Sequence, residues 1–173
     1  MEVLALLILG AAFGLIVIFG APYLPTHQRQ LKLALDLADL KPDQLLLDLG
    51  AGDGRLLKAA AQRGWRATGY ELNPFLVLWC WLSLRRYRSQ TNTIWRDFLR
   101  TSWPADTTAV YIFGSRPVMR RLAIKLMVWP TPLRLVSYGF ELPGHKHEIK
   151  SGGFFVYDLK PKTPKDQKHH FKS

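Results

Sequence analysis

The heptapeptide Asp48-Leu49-Gly50-Ala51-Gly52-Asp53-Gly54 constrains this chain more than any other stretch. The apolar run Leu45-Leu46-Leu47 precedes it, and Arg55-Leu56-Leu57-Lys58-Ala59-Ala60-Ala61, a helical pattern, follows. A strand that turns on glycines straight into a helix presents backbone N–H groups and a helix N-terminus to a ligand. Residues without a β-carbon admit left-handed backbone and let the ligand approach the main chain. The spacing is G-x-G-x-G with an aspartate closing the strand, not the G-x-G-x-x-G of dinucleotide sites. That combination favours S-adenosylmethionine over a nicotinamide dinucleotide.

The downstream pattern alternates strands and helices, which predicts a Rossmann-like α/β fold: a mostly parallel sheet with helices on both faces. Gln28 to Leu40 reads as a helix packed on the sheet, and Leu45 to Asp48 as a buried parallel strand. After the glycine turn a helix runs to about Arg63, with Gly64 as its stop. Arg66 to Glu71 is a second strand ending in a carboxylate, 21 residues beyond Gly50. A strand–helix–strand unit places an acid there beside ribose hydroxyls, which a carboxylate can accept in pairs. Leu72 and Asn73 follow directly.

Asn73-Pro74 opens a third helix through roughly Arg88, nearly all apolar, whose aromatics are expected to be mainly core; Trp79, Trp81 and the arginines would also suit a membrane interface. A third strand from Asn92 should end at Asp97, positioned to accept from an adenine amino group with Phe98 near the ring. Thr108 to Phe113 predicts a fourth strand, and Gly114-Ser115-Arg116-Pro117 should then face the reaction site at its carboxyl end. A basic helix from Pro117 to Trp129, a fifth strand from Leu133 to Phe140 and a C-terminal antiparallel hairpin (Glu148 to Lys150, Phe154 to Leu159) complete the domain.

The N-terminus differs in kind. Val3 to Ala21 holds nineteen residues without a charge or strongly polar group. As a helix it would rise about 28 Å, close to a hydrocarbon core of roughly 30 Å. The only early charge is Glu2, so the basic n-region of a cleaved signal peptide is missing. We therefore expect residues 1–22 to be a retained, single-pass transmembrane anchor, 23–160 the catalytic domain, and 161–173 a basic, disordered tail. Arg29, Lys32 and Lys41 place that domain on the cytoplasmic, or matrix-like, side. Twenty-four Lys and Arg against 13 Asp and Glu give a net charge of +11, suited to anionic partners. The basic residues look spread around the domain beside the anchor, which argues against nucleic acid as the partner. A single cysteine, Cys80, excludes an internal disulfide framework and Cys-rich metal sites and reads as buried packing; no metal is expected, His145 and His147 reading as solvated.

Taken together, the anchor, Tyr23-Leu24-Pro25-Thr26, Leu47 to Arg55, Gly69-Tyr70-Glu71-Leu72-Asn73-Pro74, Ile112-Phe113-Gly114, Met119, Leu122 and Val156-Tyr157-Asp158 resemble one family. It is the small membrane-anchored protein-lysine methyltransferases of the class I (seven-strand) S-adenosylmethionine-dependent fold, whose mitochondrial members modify the adenine nucleotide translocase and the c-subunit of ATP synthase. The resemblance covers roughly residues 1–160. It implies S-adenosylmethionine as methyl donor, with Asp48, Gly50, Gly52 and Asp53 at its methionine end, Glu71 at its ribose and Asp97 at its adenine side, and with Leu49, Ala51, Gly54, Leu72, Asn73 and Phe98 completing the cofactor-binding set. Tyr23, Pro25, Thr26 and Gly114 would line the active site. Ser115-Arg116 departs from the small apolar residues expected after the fourth strand.

The activity so implied is methylation of a lysine on a membrane protein, with the bilayer held through the N-terminal helix. Two other readings stay open: methylation of a small molecule or lipid such as a quinone, and an inactive cofactor-binding membrane adaptor. The chain lacks an Asn/Asp-Pro-Pro-Tyr/Phe stretch after the fourth strand, which counts against amino-group methylation of adenine or glutamine.

Overall fold

The computed structural model describes residues 28–161, together with Val3. Helix α1 spans Gln28–Ala38, strand β1 Leu45–Leu49, α2 Arg55–Gln62, β2 Arg66–Glu71, α3 Pro74–Ser83 and β3 Thr91–Trp95. Then come β4 Thr107–Phe113, α4 Arg116–Leu126, β5 Leu133–Tyr138, β6 Ile149–Ser151 and β7 Phe154–Leu159. Among the described residues these strands form one seven-stranded sheet in the order β3-β2-β1-β4-β5-β7-β6. The first five in that order run parallel, and β7 inserts antiparallel between β5 and β6. The C-terminal hairpin is thus part of the sheet: β7 pairs with β5 from Leu133↔Leu159 to Tyr138↔Phe154.

All five residues of β1 are buried, as a central parallel strand with both faces covered requires. Successive side chains point to opposite faces, so Leu46 joins the core under α1 and α2 while Leu47 and Leu49 join the core under α4. Leu31, Ala34, Leu35 and Ala38 of α1 and Leu56, Leu57 and Ala60 of α2 fill the first core; Met119, Leu122, Ala123 and Leu126 of α4 fill the second. Burying a leucine as completely as Leu57 contributes about 1.5–3 kcal/mol.

Several elements stop earlier than their patterns predict. α3 ends at Ser83 and gives way to a 3₁₀ turn over Arg85–Tyr87, because Tyr87 N donates to Leu84 O rather than one residue further back. β5 ends at Tyr138, where Gly139 turns into positive φ and donates to Gly153 O. α4 is complete at Leu126, short of Trp129. β3 ends at Trp95, leaving Asp97 and Phe98 in the following turn.

The expectation that the α3 aromatics are mainly core is wrong. In that helix only Val77 and Cys80 are buried, and Phe75, Trp79 and Trp81 are exposed. α3 lies over β3, which is the edge of the sheet, so no further element covers its outer side among the described residues. The anticipated transmembrane segment and the basic tail from residue 162 lie outside the described residues. Among the described residues no helix is long and apolar enough to cross a membrane.

Candidate active site

The site residues collect at the carboxyl ends of β1, β2 and β4, where the sheet changes its direction of winding between β1 and β4. Open α/β sheets place their ligands in the crevice this creates. Gly50, Gly52 and Gly54 hold φ of 111°, 57° and 79°, so alternate residues of the turn occupy conformations that residues with a β-carbon avoid. Gly50 N and Ala51 N both donate to Tyr70 O at 3.0 Å, which ties the turn to the neighbouring strand. A Cβ on Gly50 would meet nothing within 4 Å, so this part of the main chain faces open space.

The Glu71 carboxylate closes the turn from the end of β2. Oε2 accepts from Gly52 N at 2.9 Å, and Oε1 accepts from Leu72 N and Asn73 N at 2.8 Å each. A carboxylate offers about four acceptor positions, so three backbone amides leave one on Oε2 for a further donor. Asn73 caps α3, its side chain accepting from Phe75 N and Leu76 N. Leu72 is exposed beside it.

Asp48 lies beneath the turn, 3 % exposed. Burial, then the negative charges of Glu71 and Asp53, push its carboxyl up to about 8. At neutral pH the protonated form therefore predominates, and a cation placed at the turn would favour the ionised form instead. Asp53 is engaged locally: it pairs with the Arg55 guanidinium at 2.7 Å and accepts from Arg55 N at the start of α2. Its placement fits the lip of the turn, with its charge already matched by Arg55.

Asp97 Oδ1 accepts from Leu99 N at 2.8 Å, and its other oxygen stands 3.5 Å from Arg100 Nε. Phe98 packs on the α4-side core, and its carbonyl accepts from Trp103 Nε1. Gly114 follows β4, and a Cβ there would meet Ile112 Cδ1 at 3.3 Å and Val118 Cγ1 at 3.4 Å. Tyr23, Pro25 and Thr26 lie outside the described residues. Gln30, near the start of α1, hydrogen-bonds the Tyr138 hydroxyl at the carboxyl end of β5, so α1 begins at the same edge of the sheet as the site.

Three residues take places at the turn that the sequence reading did not assign them. Gly69 sits under the turn, and a Cβ there would fall 2.5 Å from Ala51 Cβ. The signal was available, since a glycine inside a strand marks a close approach of something above it. Cys80 donates its thiol to Gly52 O at 3.2 Å, and burial pushes that thiol up to about 12. It secures the turn and is chemically inert. Trp95, in register with Glu71, caps the edge strand with its Nε1 donating to Leu72 O at 2.9 Å.

Histidine placement adds no ligand set: His147 packs edge-on to Phe155 and Tyr157. Among the described residues no group of three or more His, Cys, Asp or Glu stands ready to hold a metal ion.

Comparison with known proteins agrees with this geometry. Residues 48–149 match the family model described as the ANTKMT methyltransferase domain. The ATP synthase c-subunit lysine N-methyltransferase of Xenopus laevis is 36 % identical over 127 residues, covering 70 % of this chain and 54 % of the relative. The adenine nucleotide translocase lysine N-methyltransferase of Mus musculus is 37 % identical over 133 residues, covering 70 % and 54 %. This chain thus spans about half the length of these two relatives. Among solved structures, an RNA methyltransferase from Salinibacter ruber in complex with S-adenosyl-L-homocysteine superposes with a TM-score of 0.73 over 83 % of this chain and 98 % of that one. At 24 % identity this similarity shows the methyltransferase fold and nothing about substrate.

Proposed function

The chain belongs to the ANTKMT methyltransferase domain family, and from that premise we propose that it is an S-adenosylmethionine-dependent protein-lysine N-methyltransferase. The single observation that carries the reading is Glu71 closing on the Gly52 amide at the mouth of an open glycine turn. The residues fit the donor chemically. Glu71 offers its remaining acceptor position to the vicinal hydroxyls of the ribose. The bare main chain at Gly50 admits the methionine portion, and Asp48, which a nearby cation would ionise, complements its positive charge. Phe98 flanks the adenine side, with Asp97 as an acceptor for its amino group.

S-adenosylmethionine supplies an electrophilic methyl group; the chain supplies position and desolvation. The nucleophile must be a neutral lysine amine, and a weakly polar site lowers the pKa of an amine towards that state. No dedicated base is needed in this reading. Alignment falls to Tyr23, Pro25 and Thr26, in the segment that leads into α1, and to Gly114 at the end of β4. The substrate is a lysine of a membrane protein, and the apolar Val3–Ala21 segment anchors the enzyme as a single span with its catalytic domain on the cytoplasmic or matrix-like side. The support for the anchor is the segment's length and lack of charge.

Incubating the full chain with methyl-labelled S-adenosylmethionine and native membranes tests the reading. Label is expected on lysine of a membrane protein. Label confined to extractable lipid or quinone, or to RNA, would replace this function with another, and cofactor binding without any turnover would favour an adaptor.

A further inference from the structure

Helix α3 carries two apolar stripes. Val77 and Cys80, with Leu84 just beyond, face the sheet and are buried. Phe75, Leu78, Trp79 and Leu82 repeat at i, i+3, i+4 and i+7 on the opposite side and are 52–68 % exposed. Trp81 and Trp95 widen this outer face at the sheet edge. Their indole N–H groups are satisfied internally by Thr93 O and Leu72 O, which leaves more than half of each residue in solvent. A water-facing stripe of this size marks an interaction surface.

Charge identifies the partner. Between Pro74 and Gln90 there is no acidic residue, while Arg85, Arg86 and Arg88 follow α3 directly and are exposed. Aromatic and leucine side chains next to a cluster of arginines match the boundary of a bilayer, where rings bury among the upper acyl chains and guanidinium groups meet anionic headgroups. The chain's own layout agrees. Only six residues separate Ala21 from Gln28, seven Cα steps with a reach of at most about 25 Å, and both α1 and α3 begin at the carboxyl edge of the sheet.

We propose that the outer face of α3, with Trp95 and the following arginines, docks the domain onto an anionic lipid surface. This contact would hold the glycine turn, which Cys80 of the same helix secures, at a fixed height above the bilayer. The proposal rests on the anchor reading for the tether alone; the docking face is a separate property of the folded domain.

The test uses the full chain with Leu82→Cys carrying a bimane label, since native Cys80 is buried. It is reconstituted into vesicles of phosphatidylcholine with phosphatidylserine; flotation reads the anchor, and quenching reads the docking. Vesicles with brominated acyl chains should quench the label strongly and aqueous acrylamide weakly. A label at Lys58→Cys, on the exposed side of α2, should show the reverse. Omitting phosphatidylserine, or changing Arg85, Arg86 and Arg88 to Gln, should reduce the lipid quenching at position 82. Floating protein with acrylamide quenching equal at both positions would overturn the docking and leave the anchor standing. Shielding from both quenchers would also overturn it, since another part of this chain or a second copy would then cover the face; lipid quenching indifferent to phosphatidylserine would remove the anionic surface as its partner. Failure to float would remove anchor and docking together.

Discussion

Helices α2 and α3 lie side by side on one face of the sheet, each following a strand that ends at the site, yet they meet opposite surroundings. α2 buries Leu56, Leu57, Ala60 and Ala61 over the central strands and shows lysine and glutamine to water. α3 is more apolar throughout, and it buries Val77 and Cys80 alone. The difference is position in the sheet: α2 covers β1 and β2, whereas α3 covers the edge strand β3, beyond which nothing further packs among the described residues. Hydrophobicity in α2 therefore stabilises the fold, while most of it in α3 faces outward from the sheet. Both helices hold the glycine turn, α2 by growing out of it and α3 through Cys80 on the Gly52 carbonyl.

The sharpest way to break this contrast is to truncate one leucine from each helix. Leu57→Ala should lower unfolding free energy by about 3 kcal/mol through transfer and cavity terms, whereas Leu82→Ala should change it by less than about 0.5 kcal/mol. Urea unfolding of both variants checks this; comparable losses would mean that the α3 stripe is core after all. Next comes the turn between the helices. Gly54→Ala would force a side chain into φ +79° and place its Cβ 2.9 Å from Cys80 Sγ, so a loss of about 2 kcal/mol is expected in the same measurement.

Asp48 gives a pH-dependent effect. Its carboxyl rises from an ordinary value of about 4 to about 8 in the fold, so the folded chain holds a proton that the unfolded chain has released. The stability its protonated form contributes is fully present below pH 4 and is lost as the pH rises towards 8. Asp48→Asn should remove a slope on the order of 1 kcal/mol per pH unit across that window; parallel stability–pH curves for the two proteins would show that the carboxyl is not perturbed. Smallest of all, Trp79→Ser should leave thermal stability of the domain within about 2 °C of the original, even though it deletes a large exposed ring of α3.

Much of this was readable before the fold was known. The G-x-G-x-G turn after an apolar run and the acid 21 residues later were readable, since both follow from backbone geometry that only glycine and a strand end supply, and the fold brings Gly52 N onto Glu71 Oε2. Burial in α3 was not readable. A helix apolar all round looks buried in sequence, and only the strand order shows that β3 is an edge. The Cys80–Gly52 contact was equally hidden, since a buried cysteine carries no mark of what its thiol touches. Asp97 and Phe98 were placed one element too early because the strand pattern ran past Trp95 into a turn whose side chains bond locally.

The cofactor assignment stands most directly on Glu71. Calorimetric titration of S-adenosylmethionine into the folded Glu71→Ala variant should show binding weakened by about 100-fold, the loss expected for a hydrogen bond to a charged acceptor. Affinity unchanged from the original protein, with the variant's circular dichroism intact, would contradict the assignment of this turn as the cofactor site.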